Sequence, residues 1–166
     1  MAYEDIDPEK RKSYPPVIQA ILKKPSPVSA SLGIELEALD RDAGRVRVAF
    51  NAGDHLCNKW GGIHGGMIGS MLDDLMSIAA GLTLDWGQIT PTLEMKISFI
   101  AAGRPGRLVG EGWIIKRGKS VAFVEACLRN SDGELLATGS STARIVTMKP
   151  STKAGEKPAG KKQEQA

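Results

Sequence analysis

The 166-residue sequence is poor in the residue types that several functional classes require. It contains only two cysteines, two histidines and 5% aromatic residues. Two cysteines cannot build a disulfide framework, so Cys57 and Cys127 are expected to be reduced, as in a cytoplasmic protein. No apolar run is long enough to span a bilayer, and the N-terminus lacks the apolar core of a secretory signal. We therefore expect a cytoplasmic protein that does not bind membranes.

A surplus of charge on the folded part of the chain is also missing. The net charge is +3, but residues 147–166 carry five lysines and two glutamates, which leaves residues 1–146 neutral. Nucleic-acid binding usually needs basic residues clustered on the folded domain. We therefore expect no nucleic-acid partner, and we predict that the tail, rich in Lys, Gly, Pro and Gln, is disordered.

One apolar stretch contains two adjacent carboxylates. Between residues 67 and 82 the only charged side chains are Asp73 and Asp74, which is typical of a buried helix. The helix is predicted to open at His64-Gly65-Gly66, where glycines let backbone N–H groups approach a negatively charged ligand. A carboxylate in a buried helix costs free energy unless it is paired or used, so we interpret Asp73 as functional. Asp74 lies about 100° further around the helix and is expected to face solvent or an interface, with a partner of its own.

Alternating apolar and polar residues predict strands on both sides of that helix. Two strands with a hairpin turn between them precede it, and four antiparallel strands in a meander follow it. The first strand of the meander would place Leu93, Met95, Ile97 and Phe99 on one side. The predicted strands cover residues 34–39, 45–50, 92–100, 108–115, 120–128 and 134–146.

This order of elements predicts an α+β fold in which an antiparallel sheet wraps around one long central helix. The predicted organisation has three parts. Residues 1–33 form an N-terminal extension with a short amphipathic helix after Pro15-Pro16, residues 34–146 form the folded domain, and residues 147–166 form the basic tail.

The spacing of Asn58, His64 in Gly-Ile-His-Gly-Gly, and Asp73 resembles a known family. The family is the hotdog-fold acyl-CoA thioesterases of the 4-hydroxybenzoyl-CoA thioesterase superfamily, in the branch of the phenylacetate-pathway (PaaI-like) enzymes and thioesterase superfamily member two. The similarity extends over residues 33–146 and includes segments 92–99, 116–119 and 133–139. It implies a hotdog fold, hydrolysis of acyl-CoA to the free acid and CoA, no cofactor, and self-association as a homodimer or homotetramer.

The resemblance also implies roles for individual residues. Asp73 would be the general base or the nucleophile, and the Gly65 amide would supply the oxyanion hole. His64 would help to orient the thioester, and Asn58 would hold the water or the carboxylate. Thr92, with Thr90 as its rival, would hydrogen-bond the attacking water. A second group would bind the substrate and the phosphates of CoA: Gly66, Arg104, Arg117, Gly118 and Lys119.

Other interpretations of these residues remain open. His64 could be a structural histidine, Asp73 a paired structural carboxylate, and the charged turns simply exposed. The set of His55, Cys57, His64 and Asp73 matches no metal-binding pattern, and we expect no metal. The alternative functions are a non-catalytic acyl-CoA-binding regulator with the same fold and a hotdog dehydratase.

Helix geometry adds an inference of its own. Gly65 and Asp73 are eight residues apart, or about 12 Å along one helix. Groups that act within hydrogen-bond reach cannot serve one carbonyl across that distance. If two copies pack with antiparallel helices, Asp73 of one approaches Gly65 of the other, and a dimer has two composite sites.

Overall fold

The computed structural model describes residues 3–148. The chain begins with strand β1 (Glu4–Asp5), a 3₁₀ turn (Pro8–Ser13) and helices α1 (Pro16–Lys23) and α2 (Pro27–Ser31). The helix predicted after the proline pair is thus confirmed as α1, with proline in its first turn, where no N–H is needed. Ile18 of α1 is fully buried, so this segment packs against the rest of the molecule.

The remaining elements are one long helix, eight strands and a second 3₁₀ turn. They are β2 (Ile34–Asp40), β3 (Arg45–Ala52), the turn Asp54–Leu56, α3 (Gly65–Gly81), β4 (Gln88–Ile89), β5 (Thr92–Phe99), β6 (Gly106–Arg117), β7 (Val121–Arg129), β8 (Leu135–Arg144) and β9 (Val146–Thr147). The predicted helix and the predicted β2–β3 hairpin are confirmed. The α+β class, with a sheet around one central helix, is confirmed as well, because α3 contacts β3, β5, β6, β7 and β8.

The predicted four-stranded meander is wrong in one respect. The seven-stranded antiparallel sheet has the order β1-β2-β3-β6-β7-β8-β5, so β5 pairs with β8 at the edge and β6 pairs with β3. Only β6, β7 and β8 form a meander. Helix α3 carries the chain across the face of the sheet, and β5 therefore starts at the edge opposite the β1–β3 strands. Alternation within a strand gives no information about this order.

The last predicted strand, 134–146, is two strands in the structure. The chain leaves the main sheet at Ile145, whose N–H donates to the Ser120 carbonyl. Strand β9 then pairs with β4, which the sequence analysis did not predict. Thr147, the first residue of the predicted tail, belongs to β9, and the tail beyond Met148 lies outside the described residues.

Two glycines of β6 allow α3 to lie very close to the sheet. A Cβ at Gly112 would sit 2.4 Å from the carbonyl oxygen of Leu75, and a Cβ at Gly110 would sit 2.3 Å from the Leu75 side chain. Leu75 lies in the middle of α3 and is fully buried. The clash at Gly112 is with backbone, so it can be relieved only by moving the helix.

We predict that Gly112→Ala lowers the free energy of unfolding by about 3 kcal/mol, because overpacking against backbone forces the helix away from the sheet. Urea denaturation measures this change. Gly62→Ala is the matched control, because its Cβ would meet only ordinary contacts, at 3.5 Å or more. Equal stability of the two variants would contradict the account of the α3–β6 contact.

Candidate active site

The N-terminal half of α3 and the facing side of β5 form an open groove of about 380 Å³. One wall is polar and glycine-rich, and the other is apolar. The α3 wall contains Gly65, Gly66, Gly69, Ser70, Asp73 and Asp74, and the β5 wall contains Met95, Ile97 and Phe99. Both ends of the predicted constellation, the glycine start and Asp73, therefore lie in one groove.

His64 is the N-cap of α3. Its Nδ1 accepts the Gly66 N–H at 3.0 Å, so the neutral imidazole carries its proton on Nε2. Its carbonyl accepts from Met67 and Ile68, in the first turn of the helix. The structural interpretation of His64 is thus supported, since the side chain fixes the start of the helix. The Gly66 amide is already engaged and is not a free donor for a ligand.

The Gly65 amide differs from its neighbour. Among residues 3–148 no group accepts a hydrogen bond from it. A Cβ at Gly65 would lie 3.5 Å from the Phe99 ring, so this end of the helix lies against the C-terminal end of β5. One N–H without an acceptor therefore belongs to a residue that lines the groove at the positive end of a helix.

Asp73 is held in place by a hydrogen bond from a residue of β5. Thr92 Oγ1 donates to Asp73 Oδ1 at 2.9 Å, which distinguishes Thr92 from its rival Thr90. The sheet register shifts between Thr92 and Glu94, and this β-bulge lets an even-numbered residue reach the helix. The simple alternation predicted for β5 therefore fails at Leu93, which is 61% exposed and does not line the groove.

Asp74 is largely buried, so the expectation that it faces solvent is wrong, whereas the alternative that it faces an interface stays a prediction. It has the expected partner of its own, the Ser29 hydroxyl of α2, but Oδ2 is buried without a hydrogen bond. Burial raises the pKa of Asp74 to about 6; the Ser29 hydrogen bond lowers it and the Asp73 charge raises it further. The packing of α2, which the sequence does not reveal, creates this environment.

Asn58 organises the loop before α3. Its Oδ1 accepts the Trp60 N–H at 2.9 Å, and its backbone bonds to Gly61 and Gly62 close a tight turn. The amide side chain does not line the α3–β5 groove of its own chain. Within one chain the structure therefore gives Asn58 a loop-forming contact and no contact with Asp73.

The cationic residues assigned to CoA binding lie at two ends of the sheet. Arg104 precedes β6, whereas Arg117 is its last residue and Gly118 and Lys119 follow it, roughly 35 Å away for an extended strand of that length. Arg117 lies at the Asp73 end of the sheet, because a row of paired residues crosses the strands from Thr92, which bonds Asp73, to Arg117. The row consists of Thr92, Ala143, Ala122 and Arg117. Arg104 lies at the Gly65 end, since the neighbouring Gly103 carbonyl accepts the Ile63 N–H. The two sets cannot meet one ligand in a single chain.

The groove also contains residues that sequence reasoning did not assign to the site. Met95, Ile97 and Phe99 form its apolar wall, and their alternation was the available signal. In the described part of the chain, no three His, Cys, Asp or Glu side chains cluster as a metal site would require. Within residues 3–148, no helix is both long and apolar enough to cross a membrane.

Comparison with known proteins agrees with this architecture. The family model of the thioesterase superfamily, which describes the sequences of its members, matches residues 61–137 of this chain. A phenylacetic acid degradation-related protein of Ralstonia eutropha JMP134 is 32% identical in sequence, with a TM-score of 0.70 over 76% of this chain and 97% of that one. Acyl-coenzyme A thioesterase 13 of Mus musculus is 30% identical over 90 residues, which are 53% of this chain and 64% of that protein.

A Streptococcus mutans UA159 protein, solved with acetyl CoA bound, shares the fold at 22% identity. Its TM-score is 0.62 over 69% of this chain and 90% of that one. Together with the groove and the sheet around α3, these matches identify the class: the chain belongs to the thioesterase superfamily and has its hotdog fold. It is a hydrolase that acts on thioesters.

We predict that Asp74→Asn changes how stability depends on pH. The folded pKa lies above the unfolded one, so between pH 4 and pH 6 the folded state binds more protons, and the free energy of unfolding falls as pH rises. Asp74→Asn has no carboxyl group to deprotonate at this position, so its free energy of unfolding does not fall with pH in this way. Its stability relative to the native protein should therefore increase by about 2 kcal/mol from pH 4.5 to pH 7.5.

Urea denaturation at the two pH values measures this difference. The exposed Asp85 provides the control, because Asp85→Asn removes a carboxylate that α2 does not bury. A relative stability of Asp74→Asn that is the same at both pH values would contradict the assigned burial.

Proposed function

We propose that this chain hydrolyses acyl-CoA thioesters in sites that two copies build together. One observation carries the proposal: the unused Gly65 amide and the Thr92-bound Asp73 carboxylate line the same groove, two helical turns apart. These are the donor and the acceptor that thioester hydrolysis needs. Their separation of about 12 Å prevents them from acting on one carbonyl within a chain.

Each group has a defined task in the reaction. Thr92 holds Asp73 Oδ1, which leaves Oδ2 for a water molecule or for direct attack on the carbonyl carbon. As a general base, Asp73 takes the proton of the attacking water; as a nucleophile, it forms an anhydride that water then cleaves. On either route the C–S bond of the thioester breaks, and CoA leaves as a thiolate that takes up the proton released by the water. The Gly65 N–H stabilises the negative charge that develops on the carbonyl oxygen. His64 contributes by capping α3, which fixes the direction of that N–H.

The edge strand β5 provides the surface for a dimer. Its outer edge has no neighbouring strand among the described residues, and Leu93 and Phe99 are 61% and 57% exposed. An uncovered apolar edge strand of eight residues favours pairing with another chain. Antiparallel pairing of β5 with the same strand of a second copy satisfies its backbone groups and continues the sheet through the dimer.

The same pairing completes the site. In an antiparallel pair related by a two-fold axis, the Thr92 end of one β5 lies beside the Phe99 end of the other. Gly65 lies against Phe99, and Asp73 bonds Thr92. The second copy's Gly65 therefore approaches Asp73, and each dimer contains two equivalent sites. Exposed Ile115 and Phe123 offer a further apolar surface through which two dimers would form a tetramer.

The two-fold axis also brings the cationic residues to one end of each site. The Arg117–Lys119 turn lies at the Asp73 end of the sheet, and Arg104 lies at the Gly65 end. In the dimer, the turn of one copy and the second copy's Arg104 thus share one end, where they would bind the phosphates of CoA. The acetyl CoA bound by the Streptococcus mutans protein, which shares the fold, supports CoA as the ligand class.

We predict that the purified protein releases free CoA from a panel of acyl-CoA substrates, as followed with a thiol-detecting reagent. Asp73→Asn should lower kcat by about 10³-fold, because an amide can neither accept the proton nor attack. Asp85→Asn is the matched control for the loss of one carboxylate and should retain the full rate.

No release above background from any acyl-CoA would overturn the proposed hydrolysis. Tight binding of acyl-CoA without turnover would instead support the alternative of a non-catalytic acyl-CoA-binding regulator. Unchanged turnover in Asp73→Asn would assign the base to another residue.

A further inference from the structure

A second and larger cavity lies beyond Asp74. It has a volume of about 650 Å³, is open to solvent on one side, and is bordered by α1, the C-terminal half of α3 and the segment 84–91 that leads into β5. Its lining is mainly apolar and includes Val17, Ala20, Ile21, Ile78, Gly81 and Trp86. The match to the thioesterase superfamily begins at residue 61, so the α1 wall lies outside the part of the chain that the family model covers.

This cavity continues the groove. Asp74 lines both spaces, and the cavity-facing residues Ser77, Ile78 and Gly81 extend the same face of α3 by two turns. Helix α2 borders both spaces as well, with Val28 on the groove and Ser29 on the cavity. The groove and the cavity therefore adjoin each other at Asp74.

The far end is closed by contact between two helices. A Cβ at Gly81 would sit 2.8 Å from Val17 Cβ, so α1 rests directly on α3 there. Ile18 anchors α1 in the core. From Asp74 to this closure the helix rises about 10 Å, which is far more than an acetyl group requires and suits an acyl chain of medium length. The volume is in the range of small-molecule sites.

We propose that this cavity takes the acyl chain of the substrate, and that α1 sets the longest chain the enzyme accepts. The inference rests on the proposed function, which places the reacting carbonyl at Asp73 and the CoA phosphates at the end of the sheet. The apolar acyl chain then occupies the adjoining cavity, in which Asp74 is the one charged residue among the described lining residues. Each methylene group of the acyl chain that moves from water to the apolar lining increases the binding constant about fourfold. Catalytic efficiency therefore increases with chain length until the chain reaches Gly81.

The test uses two exposed alanines on the two N-terminal helices. Ala20 of α1 lines the cavity, whereas Ala30 of α2 lines neither the cavity nor the groove. Ala20→Phe fills the cavity from its outer wall, and Ala30→Phe adds the same side chain elsewhere. The values of kcat/KM are measured for acetyl-, butyryl-, octanoyl- and decanoyl-CoA, and thermal unfolding verifies that both variants are folded.

We expect the ratio of kcat/KM for decanoyl-CoA to that for acetyl-CoA to fall at least tenfold in Ala20→Phe and to stay at the native value in Ala30→Phe. A ratio that Ala20→Phe leaves unchanged would overturn the proposal, and so would a native enzyme that prefers acetyl-CoA to every longer chain.

A separate readout distinguishes failure of this proposal from failure of the hydrolysis itself. If the native protein cleaves no acyl-CoA, titration calorimetry with decanoate still probes the cavity. Binding that is at least tenfold weaker in Ala20→Phe than in Ala30→Phe supports an acyl-chain site without catalysis. Equal binding by the two variants, or none by the native protein, overturns the site.

Discussion

Helix α3 lies so close to strand β6 that a Cβ at position 112 would clash with the helix backbone, and this contact fixes the helix relative to the whole sheet. The height of α3 above the sheet determines how far its polar face stands from β5. The Thr92–Asp73 hydrogen bond and the contact between Gly65 and Phe99 both span that gap. The groove therefore depends on a contact made by the opposite side of the helix.

The polar face of α3 divides into three functional parts along its length. The N-terminal turn offers a free amide, the middle offers a carboxylate held by Thr92, and the C-terminal turns border an apolar cavity. In the proposed complex, the amide of a second copy binds the carbonyl oxygen of an acyl thioester and the carboxylate lies at its carbonyl carbon. The apolar cavity then holds the rest of the acyl chain. The helix dipole makes the amide at the start of α3 a favourable donor to negative charge. At the other end of the helix, α1 covers the apolar C-terminal turns.

Local features of this fold could be predicted from the sequence, because they depend on residues near one another in the chain. The run from Met67 to Leu82 with two carboxylates predicted α3, and alternation predicted β2 and β3. The resemblance predicted candidate site residues, and the structure brings Gly65 and Asp73 to one groove, with Thr92 hydrogen-bonded to Asp73. Their catalytic roles remain proposals.

Features that depend on distant packing could not be predicted. The position of β5 beside β8 depends on where α3 returns the chain, which leaves no periodic signal. The burial of Asp74 requires Ser29 of α2, and the bulge that turns Thr92 towards Asp73 interrupts the alternation from which β5 was predicted. The N-terminal extension was predicted to contain a short helix, but nothing in the sequence shows that this helix, α1, borders the cavity.

The central claim is that the start of α3 and the carboxylate in its middle serve two different sites, and two variants test it. Asp73→Asn removes the carboxylate. Gly65→Pro removes the N–H and keeps the start of the helix, because proline fits the first position of a helix and His64 already has the extended conformation that precedes proline. Gly65→Ala keeps the N–H and is the control.

The most direct measurement is the turnover of a heterodimer in which one chain carries Asp73→Asn and the other Gly65→Pro, isolated through two different affinity tags. Each parent homodimer should lose at least about 10²-fold in kcat. The heterodimer contains one site with both native groups and one site with neither, so it should recover roughly half of the native turnover. A heterodimer as inactive as its parents would show that each site lies within a single chain.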